Sequence, residues 1–228
     1  MQLTFQFDAQ EGAPLAGVVL PKARPPFSHR GRSDAPAGAG NRVDRYFFAV
    51  LPDEESAIRI QEVASRLCLD LHLNGRLIAP ERYHVSLLGI ALEGCEPSAG
   101  PSVELVKTMV QAADTISAGG FAVSFDQVMS FSPKAGMYPL VLSSSDEMPA
   151  LSALHDGLRR AMLARGFQGR CTFTPHLTVL YDRRIVAATG LHPIRWTVND
   201  FVLIHSFSGQ TRYEQLGRWP LNRTPSAV

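Results

Sequence analysis

His84-Val85-Ser86-Leu87 and His176-Leu177-Thr178-Val179 share one pattern: a histidine, an apolar residue, a hydroxyl residue and a second apolar residue. Both lie in strand-like runs. Side chains on a β-strand alternate faces, so Val85 and Leu87 are expected in a core while His84 and Ser86 point together to the other side. The second copy does the same with His176 and Thr178. If the two strands face one another, two imidazoles and two hydroxyls converge on one cleft. Histidine titrates near neutral pH, so one neutral and one protonated ring can share the two proton transfers of attack on a phosphodiester. Ser86 and Thr178 can donate hydrogen bonds to the non-bridging phosphoryl oxygens, where charge accumulates in the transition state.

Seven histidines and many hydroxyl residues make roughly one H-x-[ST] triplet expected by chance. One copy carries no weight, and an isolated strand histidine is usually just hydrogen-bonded to its neighbours. Two copies in matched settings are another matter. Tyr46 opens the strand run Tyr46-Phe47-Phe48-Ala49-Val50-Leu51 and lies 38 residues before His84. Tyr138 opens Tyr138-Pro139-Leu140-Val141-Leu142 and lies 38 residues before His176. Between each strand and its histidine sits a helix pattern that begins with acidic residues. One structural unit is used twice.

The paired motifs in this strand–helix–strand setting resemble the two-histidine (2H) phosphoesterase superfamily. Within it the chain is similar to the bacterial RNA 2′,3′-cyclic phosphodiesterases, historically the 2′-5′ RNA ligase family. The resemblance runs from about Arg45 to Leu221, through Arg45-Tyr46-Phe47-Phe48-Ala49-Val50, Pro175-His176-Leu177-Thr178 and the closing Trp219-Pro220-Leu221. It implies hydrolysis of RNA 2′,3′-cyclic phosphate ends to 2′-phosphates, with His84 and His176 catalytic and no metal or other cofactor. RNA ends or small cyclic-phosphate nucleotides would be the partners. The chain departs from the family at one point. Members often carry an arginine five residues after the second histidine, where this chain has Tyr181. Tyr181 is therefore a candidate substrate contact, and Arg183 would share its face only in a regular strand.

Other chemistries fit less well. Lys22, Lys107 and Lys134 all lack the K-x-D-G setting of a nucleotidylated lysine, and no Walker-type phosphate loop occurs. Ligation would then arise only as reversal of phosphodiester chemistry, without ATP. No G-x-S-x-G elbow suggests a serine hydrolase. The alternatives kept are a small cyclic nucleotide or ADP-ribose cyclic phosphate as substrate, and a non-catalytic binder of RNA ends.

The 228 residues, 45% apolar and 19% charged, are ordinary for a globular protein, and the net charge of +1 gives no overall signal for coating nucleic acid. Cys68, Cys95 and Cys171 are too few and scattered for a disulfide framework or zinc spacing. No run reaches the length of a membrane helix and no secretory signal opens the chain, so a cytoplasmic monomer is expected. Residues 21–42, rich in Pro, Gly, Ala and Arg, read as a flexible linker, giving an N-terminal extension at 1–43 and a catalytic domain at 44–224.

Positioning the motifs requires an α+β fold: two pseudo-symmetric lobes with antiparallel sheets flanking a central cleft, and helices outside. Strands are expected at 45–51, 83–90, 121–130, 137–143, 172–180, near 194–206 and at 212–218. Pro52-Asp53-Glu54-Glu55 starts a first helix. A second, facing inward with Val106, Met109, Val110, Ala113 and Ile116, is expected to end at Gly119-Gly120. Ser144-x-x-Glu147 reads as a capping box before a third, whose buried face holds Leu151, Leu154, Leu158, Ala161 and Met162. His155 reads as a surface or boundary residue, His72 and His192 as turn residues, and His205 as core. One of Phe47 and Phe48 faces the cleft, and Arg82 and Arg170 are candidate rim contacts.

Overall fold

A computed structural model of the chain describes residues 4–5, 45–91, 103–132, 136–169, 173–207 and 212–221. Its strands are β1 (Thr4–Phe5), β2 (Arg45–Val50), β3 (Val85–Ala91), β4 (Phe121–Ser130), β5 (Tyr138–Ser143), β6 (Gln168–Gly169), β7 (Leu177–Asp182), β8 (Thr189–Val198), β9 (Asp200–Ser206) and β10 (Tyr213–Pro220). The helices are α1 (Glu54–Asp70), α2 (Val103–Ala113) and α3 (Pro149–Leu163), with a short 3-10 turn at Pro80–Arg82. Asp53 caps α1 as its signal predicts, accepting the Ser56 N–H at 2.7 Å.

Eight strands form one antiparallel sheet in the order β10-β9-β2-β3-β7-β5-β4-β8, and β1 pairs with β6 separately and in parallel. The sheet consists of two four-stranded halves. They meet where β3 and β7 share a single residue pair, Val85 with Leu177. The two expected lobes are therefore halves of one sheet, each carrying one motif strand at the seam. The halves also share a register: Tyr46 faces Ile90 and Phe48 faces Leu88, as Tyr138 faces Asp182 and Leu140 faces Leu180.

The helices cover one face and bridge the seam. α1 packs against β7 and β8, and α3 against β3, β4 and α2. The main core joins Phe48, Val85, Leu87, Leu177 and Val179 of the sheet to Ile60 and Ala64 of α1 and Leu151, Leu154 and Leu158 of α3. Burial of this apolar surface is the chief favourable term in holding the layers together. Among the described residues the opposite face carries a small cluster of Phe47, Ala49, Val202 and Ile204. None of the three described helices packs on this open face, and the motif histidines belong to it.

Several local expectations are corrected. The capping box does not form: Pro149 occupies the first turn of α3, Met148 precedes it without a side-chain cap, and the Ser144 hydroxyl accepts the Asp146 N–H at 3.2 Å instead. Proline suits that position because the N–H it lacks has no helical partner there. α2 stops at Ala113, ahead of Gly119-Gly120, where the Thr115 hydroxyl captures the Ala112 carbonyl at 2.7 Å. The apolar run near 194–206 is two strands, β8 and β9, in opposite halves. His192 lies on β8 rather than in a turn, since Pro193 is tolerated on this edge strand. His155 is buried, 4% exposed, on the inner face of α3 and stacked on Phe173 with ring centroids 4.4 Å apart.

Candidate active site

Both motif strands carry the same irregularity. On β3, Ser86 faces Ala49 and Leu88 faces Phe48, leaving Leu87 as an extra residue. On β7, Thr178 faces Val141 and Leu180 faces Leu140, leaving Val179 extra. A bulge of this kind shifts the alternation by one residue. Leu87 and Leu88 are consequently both in the core, as are Val179 and Leu180. Beyond the bulge, the open face is taken by Gly89, opposite Phe47, and by Tyr181, opposite Pro139. Tyr181 thus reaches the face of the histidines, where regular alternation would have sent Leu180.

The Val85–Leu177 pair lies inside both motifs. In an antiparallel pair this sets His84 alongside Thr178 and Ser86 alongside His176. His84 and His176 are then diagonal neighbours, which a regular ladder holds about 7–8 Å apart. Here the ladder consists of the Val85–Leu177 pair alone.

The two histidines are held alike. His84 Nδ1 lies 2.8 Å from the Arg82 carbonyl, and His176 Nδ1 lies 2.8 Å from the Thr174 carbonyl. A carbonyl only accepts, so each Nδ1 carries the proton and Nε2 is the nitrogen turned away from the backbone. Each ring also rests near a phenyl group, Phe47 at 4.9 Å from His84 and Phe131 at 5.0 Å from His176. Two imidazoles in one tautomer, each just ahead of one of the two paired strands and two residues before a hydroxyl residue, are groups able to exchange protons near neutral pH. Among the described residues no cluster of three His, Cys, Asp or Glu is placed to hold a metal ion.

The sequence model of the 2′-5′ RNA ligase superfamily matches residues 52–209, which hold both motif strands. The chain belongs to that superfamily. Its fold is that of LigT from E. coli: against the structure with 3′-AMP the identity is 27% and the TM-score 0.57, over 79% of this chain and 99% of that one. Against LigT with phosphate the values are 23% and 0.60, over 80% and 99%. A further solved phosphoesterase is 26% identical, with a TM-score of 0.61 over 79% and 99%. No curated protein matches the chain.

This superfamily member differs sharply across its seam. Beyond His84, the Arg82 guanidinium lies over the Tyr213 ring at 4.5 Å, and that ring stands edge-on to His84 at 5.7 Å. On the His176 side, the segment Phe173–Pro175 that leads to this histidine edges a groove of about 810 Å³ running to the start of α3. Phe131, Phe173, Met129 and Thr174 line it, with Asp146, Glu147 and Asp156 among its walls. Arg183 is exposed past the end of β7, and Arg170 lies outside the described residues.

Two further groups brace the motif strands. Tyr83, next to His84, donates to Gln61 of α1 at 3.1 Å; burial, helped by Cys68 and Glu81, pushes its phenol up to about 12, so it remains a donor at neutral pH. Asp182 ends β7 and accepts the N–H groups of Asn74 and Gly75 at 2.6 Å and of Arg184 at 2.8 Å. Burial opposes its ionisation, but these bonds and one from Arg183 outweigh it and hold the carboxyl below its ordinary range. Sequence reading missed Asp182, Tyr213 and Phe131. Tyr213 reaches His84 from the other end of the chain, so no local spacing could reveal it.

Proposed function

We propose that this phosphoesterase hydrolyses 2′,3′-cyclic phosphate ends of RNA to 2′-phosphates, without a metal. The observation that carries the reading is the matched pair of imidazoles, each donating from Nδ1 to a carbonyl two residues back, so that Nε2 is the nitrogen able to take up a proton. One ring takes a proton from water as its oxygen attacks phosphorus in line. The other gives a proton to the 3′ oxygen as the P–O3′ bond breaks, leaving a 2′-phosphate and a free 3′ hydroxyl. Ser86 and Thr178, each beside the opposite histidine, donate to the non-bridging oxygens. Tyr181 contacts the substrate from the same face. With a 5′ hydroxyl in place of water as the attacking group, the same steps join ends in a 2′-5′ linkage without ATP, the P–O3′ bond breaking as before.

His84→Ala and His176→Ala should each slow hydrolysis of an RNA ending in a 2′,3′-cyclic phosphate by at least about a hundredfold. Melting temperature should hardly change. The double variant should lose less than the product of the two, since both rings act in one step, and wild-type turnover should survive a chelator. Near-full activity in either single variant rules the pairing out.

A further inference from the structure

We propose that Arg82 binds the phosphodiester one step toward the 5′ end from the reacting phosphate, so that the site is built for an RNA chain end rather than a mononucleotide. The inference deepens the proposed function and rests on it for the position of the reacting phosphate.

Arg82 closes the 3-10 turn just before His84, and its carbonyl orients that imidazole. Its side chain turns to Tyr213 on β10, 4.5 Å above the ring. The same ring meets His84 at 5.7 Å and Phe47 at 5.9 Å, so guanidinium and imidazole share one aromatic wall. Stacking fixes the guanidinium plane while leaving donors at its edge, which suits bidentate capture of a phosphate. Among the described residues no carboxylate pairs with Arg82, and its Nε is buried without a hydrogen-bond partner. The residue as a whole is only half-buried, so a phosphate can reach the guanidinium and supply the missing anion.

The far side of the seam has the opposite character. The groove beside His176 has Asp146, Glu147 and Asp156 among its walls, three carboxylates that repel a polyanion. A chain of phosphates leaving the histidines is therefore drawn over Arg82 and away from that groove. A single nucleotide, with no second phosphate, gains nothing from Arg82.

Binding of an RNA trinucleotide with a terminal 3′-phosphate, compared with a nucleoside 3′-monophosphate, tests this without requiring turnover. Wild-type protein should prefer the trinucleotide, and added salt should weaken that preference. Arg82→Ala should reduce the preference by about tenfold or more, the scale of a charge-assisted contact. Arg82→Lys should restore part of it, keeping the charge without the fork. An equal loss for both ligands would mean that Arg82 merely supports His84, and an unchanged preference, or none in wild type, likewise overturns the proposal. Arg82-dependent binding without hydrolysis would instead sink the phosphodiesterase reading and leave this one standing.

Discussion

An imidazole bonded through Nδ1 to a backbone carbonyl exchanges protons at Nε2, and His84 and His176 are both held this way. His155 is held quite differently. Its Nδ1 is 3.2 Å from Asp156 Oδ1, and its Nε2 is buried without a partner. Burial pushes its pKa down, and the nearby Asp156 only partly offsets this. A depressed folded pKa means that the unfolded chain binds the proton more readily. The stability His155 contributes is thus complete above the ordinary value of about 6.5 and is lost as the pH falls through the folded value. Comparing melting temperatures at neutral and mildly acidic pH should show a drop in wild type that shrinks in His155→Phe, which keeps the stack and cannot be protonated. An undiminished drop would assign the acid sensitivity to another group. The spacing of α3 already put Leu151, Leu154 and Leu158 on a buried face, and His155 lies between them. Residue type suggested the surface, and position decided the matter.

Asp182 joins two elements, the end of β7 and the loop that leads from α1 toward His84. Gly75 sits where an added Cβ would meet the Tyr181 carbonyl carbon at 2.9 Å, with the oxygen nearer still. Backbone must therefore pass close to backbone for the clamp to form, and Leu77 bridges Leu180 just beyond it. Asp182→Asn keeps the shape but removes the charge that the N–H groups of Asn74, Gly75 and Arg184 address. It should cost about 2 kcal/mol or more, lowering the melting temperature by about 4–8 °C. The carboxyl is held low in the folded state, so this stability is present above its unfolded value and lost as pH falls through the folded one. The Asn variant should therefore approach wild type in strong acid; a constant gap at all pH values would mean that charge is irrelevant. Element types were largely legible in the sequence, because alternation and 3.6-residue periodicity report burial directly. The bulges at Leu87 and Val179 were not, since an extra residue is defined only by the partner strand. For the same reason Tyr181 could be placed on the histidines' face only from three dimensions.

At the scale of the whole molecule, we propose that the catalytic body is 44–224 and that 1–43 adds little to it. Within that segment the described residues Thr4 and Phe5 pair in parallel with Gln168 and Gly169. A ladder so short contributes about 1–2 kcal/mol at most. Deleting residues 1–42 should lower the melting temperature by only a few degrees and leave cyclic-phosphate hydrolysis intact. Loss of both would make the segment integral to the fold and the boundary wrong. The linear order of the strands has a consequence for biosynthesis. The half-sheet bearing His176 draws all four strands from one continuous stretch, Phe121–Val198, whereas the half bearing His84 combines β2 and β3 with β9 and β10. On the ribosome the residues of the His84 motif emerge first, yet the outer edge of β2 has no partner until Asp200–Ser206 has been made. An unpaired edge invites association with other chains. The half whose motif comes first along the chain is the last to close.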